Sequence, residues 1–307
     1  MSAERKVVWF PITCQEGINP NSSSARIRGR WVFDKIQNCV NGFRNVFKPE
    51  EVDVFVFQKW CNENACYRAE RFKELGKKVI LDMCDPVWLD ESQEDNFIRM
   101  VNACDAVVFS TDTLKDAFEK KYPLFKSKKL FVVIDRHDMN EIGTPLIKKE
   151  KENCEETVLL WHGHQNNTNL INKIIPKIKE ASYLIRGLKL QIIPEKVIED
   201  GFKGYDNVVQ DAWNEETIYD LIRNADVVLN PTSKFGEYAY KSDNKTSLAW
   251  CLGTKCLSKD VMDEDWVEEI VECASFEPMD ENTCFKNRER YDVWKSVEEW
   301  KKIIREV

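Results

Sequence analysis

The chain has 307 residues and a net charge of -8, with 43% hydrophobic and 32% charged side chains. That length is about twice a typical single domain, and the apolar content is enough for two buried cores. The acidic balance excludes a general electrostatic pull toward nucleic-acid phosphates or anionic membranes, and no apolar run approaches the roughly 20 residues of a membrane-spanning helix.

The start, MSAERKVVWFPITC, passes from a short charged lead straight into a strand-like run. It contains no long apolar segment and no small-residue cleavage site, so the expectation is a cytoplasmic protein. Short runs of β-branched and aromatic residues then alternate with longer stretches of helical period, the pattern of a parallel sheet wrapped by helices. In the first half strands are predicted at Val7 to Thr13, Val52 to Gln58, Lys78 to Asp82, Ala106 to Ser110 and Leu130 to Ile134. Their nearly continuous apolar character is what buried parallel strands require. Helical segments are predicted near Ser24 to Phe43, Ala65 to Leu75, Asp95 to Ala103 and Leu114 to Lys120.

The polar stretch from Asp135 to Glu156 carries Gly143 and Pro145 and ends in a charged run, which reads as an interdomain connection. A second series follows, with strands at Thr157 to Trp161, Leu188 to Ile193, Asn207 to Val209, Val227 to Asn230 and Lys255 to Leu257. The resulting division is an N-terminal Rossmann-like domain over residues 1–140, a linker over 141–156, a second domain over 157–285 and a C-terminal helix over 286–307. In that tail Tyr291, Trp294, Val297, Trp300, Ile304 and Val307 recur at helical spacing and form one apolar face that must be buried.

Eleven cysteines are scattered with no CxxC pair and no histidine at zinc-ligand spacing, so they read as reduced thiols filling core space, with Cys61 and Cys66 the one pair that suggests redox chemistry. Neither G-x-G-x-x-G nor a P-loop lysine motif occurs, which counts against a dehydrogenase or an NTPase. The most informative segment is ADVVLNPTSKFGEYAYKSDNKTSLAWCLGTKCL, from Ala225 to Leu257. A buried strand ends near Asn230, a polar loop follows, and Ser242 or Asp243 is placed to cap a helix from Asn244 to Leu252 that stops at Gly253. Lys245 then falls in the first turn, where the helix dipole disfavours a cation unless an anion sits nearby. An ordinary solvated lysine is the alternative.

Asp243, Asn244 and Lys245, with Gly253 eight positions after the lysine, resemble the "NK-x-x-E-A-M-A-x-G-x-P-V" segment of glycosyltransferases similar to the family 4, or group 1, type. In that family the lysine and the helix start meet the diphosphate of a nucleotide-sugar. The usual glutamate five positions before the glycine is Leu248 here, and the acidic residue that opens the family's E-x7-E motif is Tyr240. WHGHQNNTNL resembles the "W-x-G-x-x-x-N" turn that begins the donor domain, which implies donor contacts at Gly163 and His164 and a catalytic role for His162; loop hydrogen bonding is the plainer use of both histidines. The stretch from Val56 to Trp88 is similar to the family's "FQK…D-x-C-D" region and implies that Gln58, Lys59, Asp82 and Asp85 lie at strand ends. There Lys59 is expected to meet the acceptor and Asp85 to act catalytically, or merely to form a turn before Pro86. SSSARIRGRW resembles the acceptor-side "S-x-R-x-R-G" loop, which makes Arg26, Arg28 and Arg30 candidates for meeting an anionic acceptor or the donor phosphate, with Arg26 and Arg28 assigned to the acceptor, against the alternative of helix-surface arginines. Trp213 occupies the place where the family holds the nucleobase, or is simply a core tryptophan.

The resemblance runs in order from about Val7 to Leu257 and implies a GT-B fold, two Rossmann-like domains facing across a cleft, with the C-terminal helix crossing back to the first domain. The expected activity is transfer of a hexosyl or pentosyl group from a nucleotide-sugar to an acceptor the sequence does not name, a glycan, a small molecule or, less in keeping with the charge, nucleic-acid bases. No cofactor and no metal are expected beyond the nucleotide-sugar co-substrate, because lysine and helix N–H groups can neutralise the leaving diphosphate. Retention of anomeric configuration follows only by analogy with the family. A degenerate carbohydrate- or nucleotide-binding protein of the same fold is the main alternative, on the strength of Leu248, and a sugar-phosphate epimerase a smaller one.

Overall fold

The computed structural model of the chain describes residues 5–14, 17–18, 23–148, 156–197, 207–275 and 277–307. It divides into two compact units. The first comprises Met1–Asp138, Tyr240–Ser242 and Asp292–Val307, and the second Met139–Ala239 and Asp243–Tyr291.

In chain order the first unit begins with β1 (Val7–Phe10) and a short antiparallel pair, β2 (Thr13–Cys14) and β3 (Gly17–Ile18). A π-helical stretch, Ala25–Arg30, runs directly into α1 (Trp31–Phe33). Next come β4 (Cys39–Asn41), β5 (Val54–Gln58), α2 (Glu63–Glu74), β6 (Lys78–Met83), α3 (Glu91–Ala103), β7 (Ala106–Phe109), α4 (Asp112–Lys121) and β8 (Lys129–Val132). The sheet is parallel with order β4-β1-β5-β6-β7-β8, so its topological switch lies between β1 and β5. Every residue of β1, β5 and β7 is buried, as expected for strands covered on both faces. The helices start where the sequence supplies caps: Asn62, Asp90 and Thr111 each accept a hydrogen bond from a first-turn amide.

The second unit contains α5 (Met139–Ile142), β9 (Thr157–Gly163), α6 (Thr168–Ala181), β10 (Leu188–Pro194), β11 (Val208–Gln210), α7 (Glu215–Asn224), β12 (Val227–Thr232), α8 (Asn244–Cys251), β13 (Lys255–Asp260), α9 (Trp266–Ser275) and α10 (Glu281–Arg290). Its parallel sheet has the order β11-β10-β9-β12-β13, with the switch between β9 and β12. Its core gathers Leu159 and Trp161 with α6, β10, Val227, Leu229 and α9. The final helix, α11 (Val293–Glu306), belongs to the first unit: Trp300 meets Trp9 edge-on with centroids 4.5 Å apart, and Arg136 reaches Ser296 and, through both terminal nitrogens, Glu299. Among the described residues no helix is long and apolar enough to cross a membrane.

Several local expectations are corrected. The helix expected over Ser24 to Phe43 ends at Phe33; Asn38 turns the chain at φ 58°, and Cys39–Asn41 pairs with Val7, Val8 and Trp9 as an edge strand. An edge strand of three residues has no room to show a period of two. Asp135 to Asp138, read as the start of a connector because they are polar, are all buried in the first unit. Trp294, placed on the buried face of the tail, is half exposed, while Val293, Ser296 and Ile303 take the inner positions beside Val297, Trp300 and Ile304.

Candidate functional site

In open parallel α/β sheets the carboxyl ends of strands at the switch point converge on the ligand. In the second unit β9 ends there in Trp161, His162 and Gly163. A Cβ at Gly163 would lie 2.7 Å from the Lys245 ammonium and 3.3 Å from the Trp161 ring, so a side chain here would push the lysine tip from its present place. The Lys245 nitrogen lies 5.3 Å from the centroid of the Trp161 ring, within cation–π range. Asn230, on the neighbouring strand β12, donates to Thr246 Oγ1 at 3.3 Å and Ser258 Oγ at 3.0 Å, which ties the first turn of α8 to the strand ends.

The helix α8 starts at Asn244 as expected, but the expected cap is absent: neither Ser242 nor Asp243 caps it with a side chain. The Asp243 carboxylate instead accepts from the Tyr291 hydroxyl at 3.0 Å, and burial together with that carboxylate pushes the Tyr291 phenol up to about 12. The first-turn amides are therefore not answered by a capping side chain, an arrangement suited to an anion. The helix stops at Gly253, with φ 85° and the Leu146 carbonyl oxygen 2.6 Å from where a Cβ would stand.

His162 is buried in β9, paired in register with Ile193. His164 lies at the start of the next turn: its Nδ1 accepts from the Asn166 amide at 3.2 Å and its Nε2 is 2.9 Å from a Glu195 oxygen. Trp213 is partly buried, its amide donating to the Pro194 carbonyl at 2.8 Å.

The first unit holds a second set of polar groups. Arg28 does not lie open toward an acceptor as expected. Its Nη2 and Nε donate to the two oxygens of Asp82 at 2.5 and 3.2 Å, and its Nη1 to Asp135 at 2.9 Å and to the Val133 carbonyl at 2.5 Å. Burial opposes the guanidinium charge, but the two carboxylates outweigh it and raise the Arg28 pKa; burial pushes Asp82 up, against the pull of Arg28. Ser242 Oγ donates to the other oxygen of Asp135 at 2.5 Å. Arg26 is buried too, with its guanidinium 5.4 Å from the centroid of Trp31.

Asp85 accepts from two lysines, Lys59 and, at 2.7 Å, Lys241. Burial disfavours its charge, yet the two ammonium groups outweigh that and hold the carboxyl at about 2. So acidic a group is a weak proton acceptor near neutrality. Lys59 sits at φ 50°, the left-handed region that a non-glycine residue occupies at a cost, with its amide fixed on the Asp82 carbonyl at 2.8 Å. Nothing in the local sequence marked Lys241 or Asp135, because their partners lie far away in the chain; Asn230 stood at a predicted strand end, and its amide was the signal.

No protein-family model matches the chain, and no curated protein matches its sequence. Solved structures do. HepE from Anabaena, in complex with UDP and glucose, matches with a TM-score of 0.69 at 9% identity over 99% of this chain and 100% of that one. Sucrose-phosphate synthase from Thermosynechococcus elongatus matches at 0.60 and 11% identity, covering 83% of this chain and 73% of that one. The UDP-forming α,α-trehalose-phosphate synthase from Burkholderia xenovorans gives 0.58 and 10%, over 84% and 74%. The fold is GT-B. At these identities the likeness concerns the GT-B scaffold, and the chemistry rests on the residues themselves.

Proposed function

We propose that this GT-B protein is a glycosyltransferase that binds a nucleotide-sugar through its diphosphate at Gly163 and the start of α8, with Lys245 as the principal positive charge. The observation that carries the reading is the Lys245 ammonium packed against Gly163 at the carboxyl end of β9, beside a helix start with no side-chain cap. As the bond from the sugar C1 to the diphosphate oxygen breaks, negative charge grows on the leaving group. Lys245 and the first amides of α8 are preorganised to receive that charge, and the acceptor hydroxyl attacks C1 while its proton passes to the departing diphosphate oxygen. Lysine and helix dipole supply this stabilisation without a metal in the scheme. His162, one residue before Gly163, and His164 are assigned to the donor side with Asp243, Asn244 and Trp213.

On the acceptor side, Lys59 and Lys241 meet at Asp85 and are assigned to an anionic acceptor, while Arg26 and Arg28 act from behind as buried supports. We place Asp85 as the clamp on these lysines rather than as the proton acceptor. The first donors to test are uridine diphosphate sugars, because HepE is described with UDP, UDP and glucose, and UDP-glucose bound. A thermal-shift panel of UDP-, GDP-, ADP- and CMP-sugars is the test: a ligand at 100 times its Kd stabilises by about 2.7 kcal/mol. Absence of any shift across the panel would sink the reading.

One observation favours a second reading, a nucleotide-sugar binder without turnover. Leu248 is buried where the family carries a glutamate, so no carboxylate reaches the ligand from that position. Stabilisation by a nucleotide-sugar with neither transfer nor hydrolysis over a day would select it.

A further inference from the structure

The second unit contains a cavity of about 640 Å³ beyond the ends of β12 and β13, and neither Gly163 nor Lys245 lines it. Its volume falls within the roughly 300–1,000 Å³ of small-ligand sites. The hydroxyl-bearing Thr232, Ser233, Ser258 and Tyr238 line it with the apolar Ala239 and Leu257; Ser258 and Ser233 accept from Asn230 and the Phe235 amide, and Tyr238 donates to Asn166 and Asn169. Its charged lining residues have charged or backbone partners nearby. Lys259 contacts Asp265 at 2.6 Å and Glu269 at 3.1 Å, and Lys234 lies 3.7 Å from Asp263. Asp260 accepts from the amides of Lys234 at 2.7 Å and Met262 at 2.8 Å, so one carboxylate holds the loop after β12 and the loop after β13 in place.

A free anion or cation would compete with these partners, and a lipid chain would meet too many hydroxyls. A neutral ligand with many hydroxyl groups and apolar C–H faces matches the mixed lining. Phe235, next in the chain to the lining residue Lys234, is 73% exposed, and Met262, between the lining residues Asp260 and Asp263, is 68% exposed. An exposed aromatic ring beside a hydroxyl-lined hollow is a platform for the C–H face of a sugar. We propose that this cavity is a carbohydrate subsite that takes neutral sugar residues of a glycan, separate from the diphosphate site.

The test is saturation-transfer NMR on the full chain without nucleotide, using maltotetraose, cellotetraose and chitotetraose as probes. At least one probe should receive transfer, with no loss when UDP is added. Phe235→Ala should weaken its binding about tenfold, the effect of roughly 1.4 kcal/mol of stacking, and Ser258→Trp, which fills the hollow, should abolish it. Lack of transfer to all three probes overturns the proposal, as does displacement by UDP. If Ser258→Trp melts early, Phe235→Ala decides alone, since that ring is exposed; undiminished binding in it overturns the subsite. None of these outcomes depends on whether a nucleotide-sugar is turned over.

Discussion

Lys245 stands at the end of a helix where the dipole repels a cation, a cost typically of 0.3–1 kcal/mol. The Trp161 face offsets part of it, and an arriving diphosphate would reverse its sign. Lys245→Ala is therefore expected to lower kcat by about 100-fold, roughly 2.7 kcal/mol, with a smaller effect on binding, because the interaction strengthens as the leaving charge grows. Lys245→Arg should rescue only in part, since the planar fork is larger and aimed differently. Steady-state rates and calorimetric titration with UDP on the same variants check both, and wild-type rates in Lys245→Ala would place the phosphates elsewhere. Gly163→Ala tests the same geometry from the other side: its Cβ would collide with the ammonium, so UDP affinity should fall although no charge is removed. Arg28 is a different kind of residue. Arg28→Met leaves Asp82 buried beside Asp135 without its counter-ion, and the expected loss of stability is about 3–5 kcal/mol by urea unfolding. A loss below about 1 kcal/mol would mean that the pair is relaxed by water. The sequence named Arg28 and Lys245 alike as candidates, yet did not separate the enclosed arginine from the lysine beside Gly163, because burial is decided by what packs around a residue and not by its neighbours in the chain.

At the scale of elements, α8 was legible because its start, its apolar run and its glycine stop are adjacent in sequence. Its missing cap was not, since Asp243 is drawn off by Tyr291, 48 positions away. The tail helix α11 was legible as an amphipathic face: Tyr291, Val297, Trp300, Ile304 and Val307 are buried as expected, and Trp294 alone of the six lies off that face. Trp300, fully buried against Trp9, is the anchor of α11 in the first unit. Trp300→Ala should cost about 3–5 kcal/mol in urea unfolding, the range for deleting a large buried ring. Trp294→Ala, on the half-exposed side, should stay within about 1 kcal/mol. Similar losses in the two variants would contradict this packing of the helix.

At the scale of the whole molecule, acid should unfold the protein in part through His137. This imidazole is fully buried, and desolvation, helped by the Arg26 charge, lowers its pKa to about 3. The unfolded chain takes up that proton near pH 6.5 and the folded one only near 3. The associated stability is therefore complete above about pH 6.5 and falls as the pH drops toward 3, by at most about 5 kcal/mol. Asp85, held at about 2, has the same sign but acts only below about pH 4, whereas Asp82, pushed up by burial, works in the opposite direction. Comparison of wild type with His137→Phe isolates the histidine: between pH 6.5 and 4 the variant should lose stability less steeply. Equal slopes would show that the imidazole is protonated without unfolding.

By itself the sequence determined the two series of buried parallel strands, the helix after β12 with its lysine and its glycine stop, and the amphipathic tail. These rest on runs and periods within one element, where each residue's environment repeats with the backbone. Tertiary structure alone decided that Cys39–Asn41 is an edge strand and that Asp135 to Asp138 are interior. It also decided that Arg28 is closed in by Asp82 and Asp135, 54 and 107 positions away, and that Asp85 is shared by Lys59 and by Lys241, 156 positions away. Such pairs leave no periodic trace, because the free energy that selects them comes from burying charges together after the chain has folded.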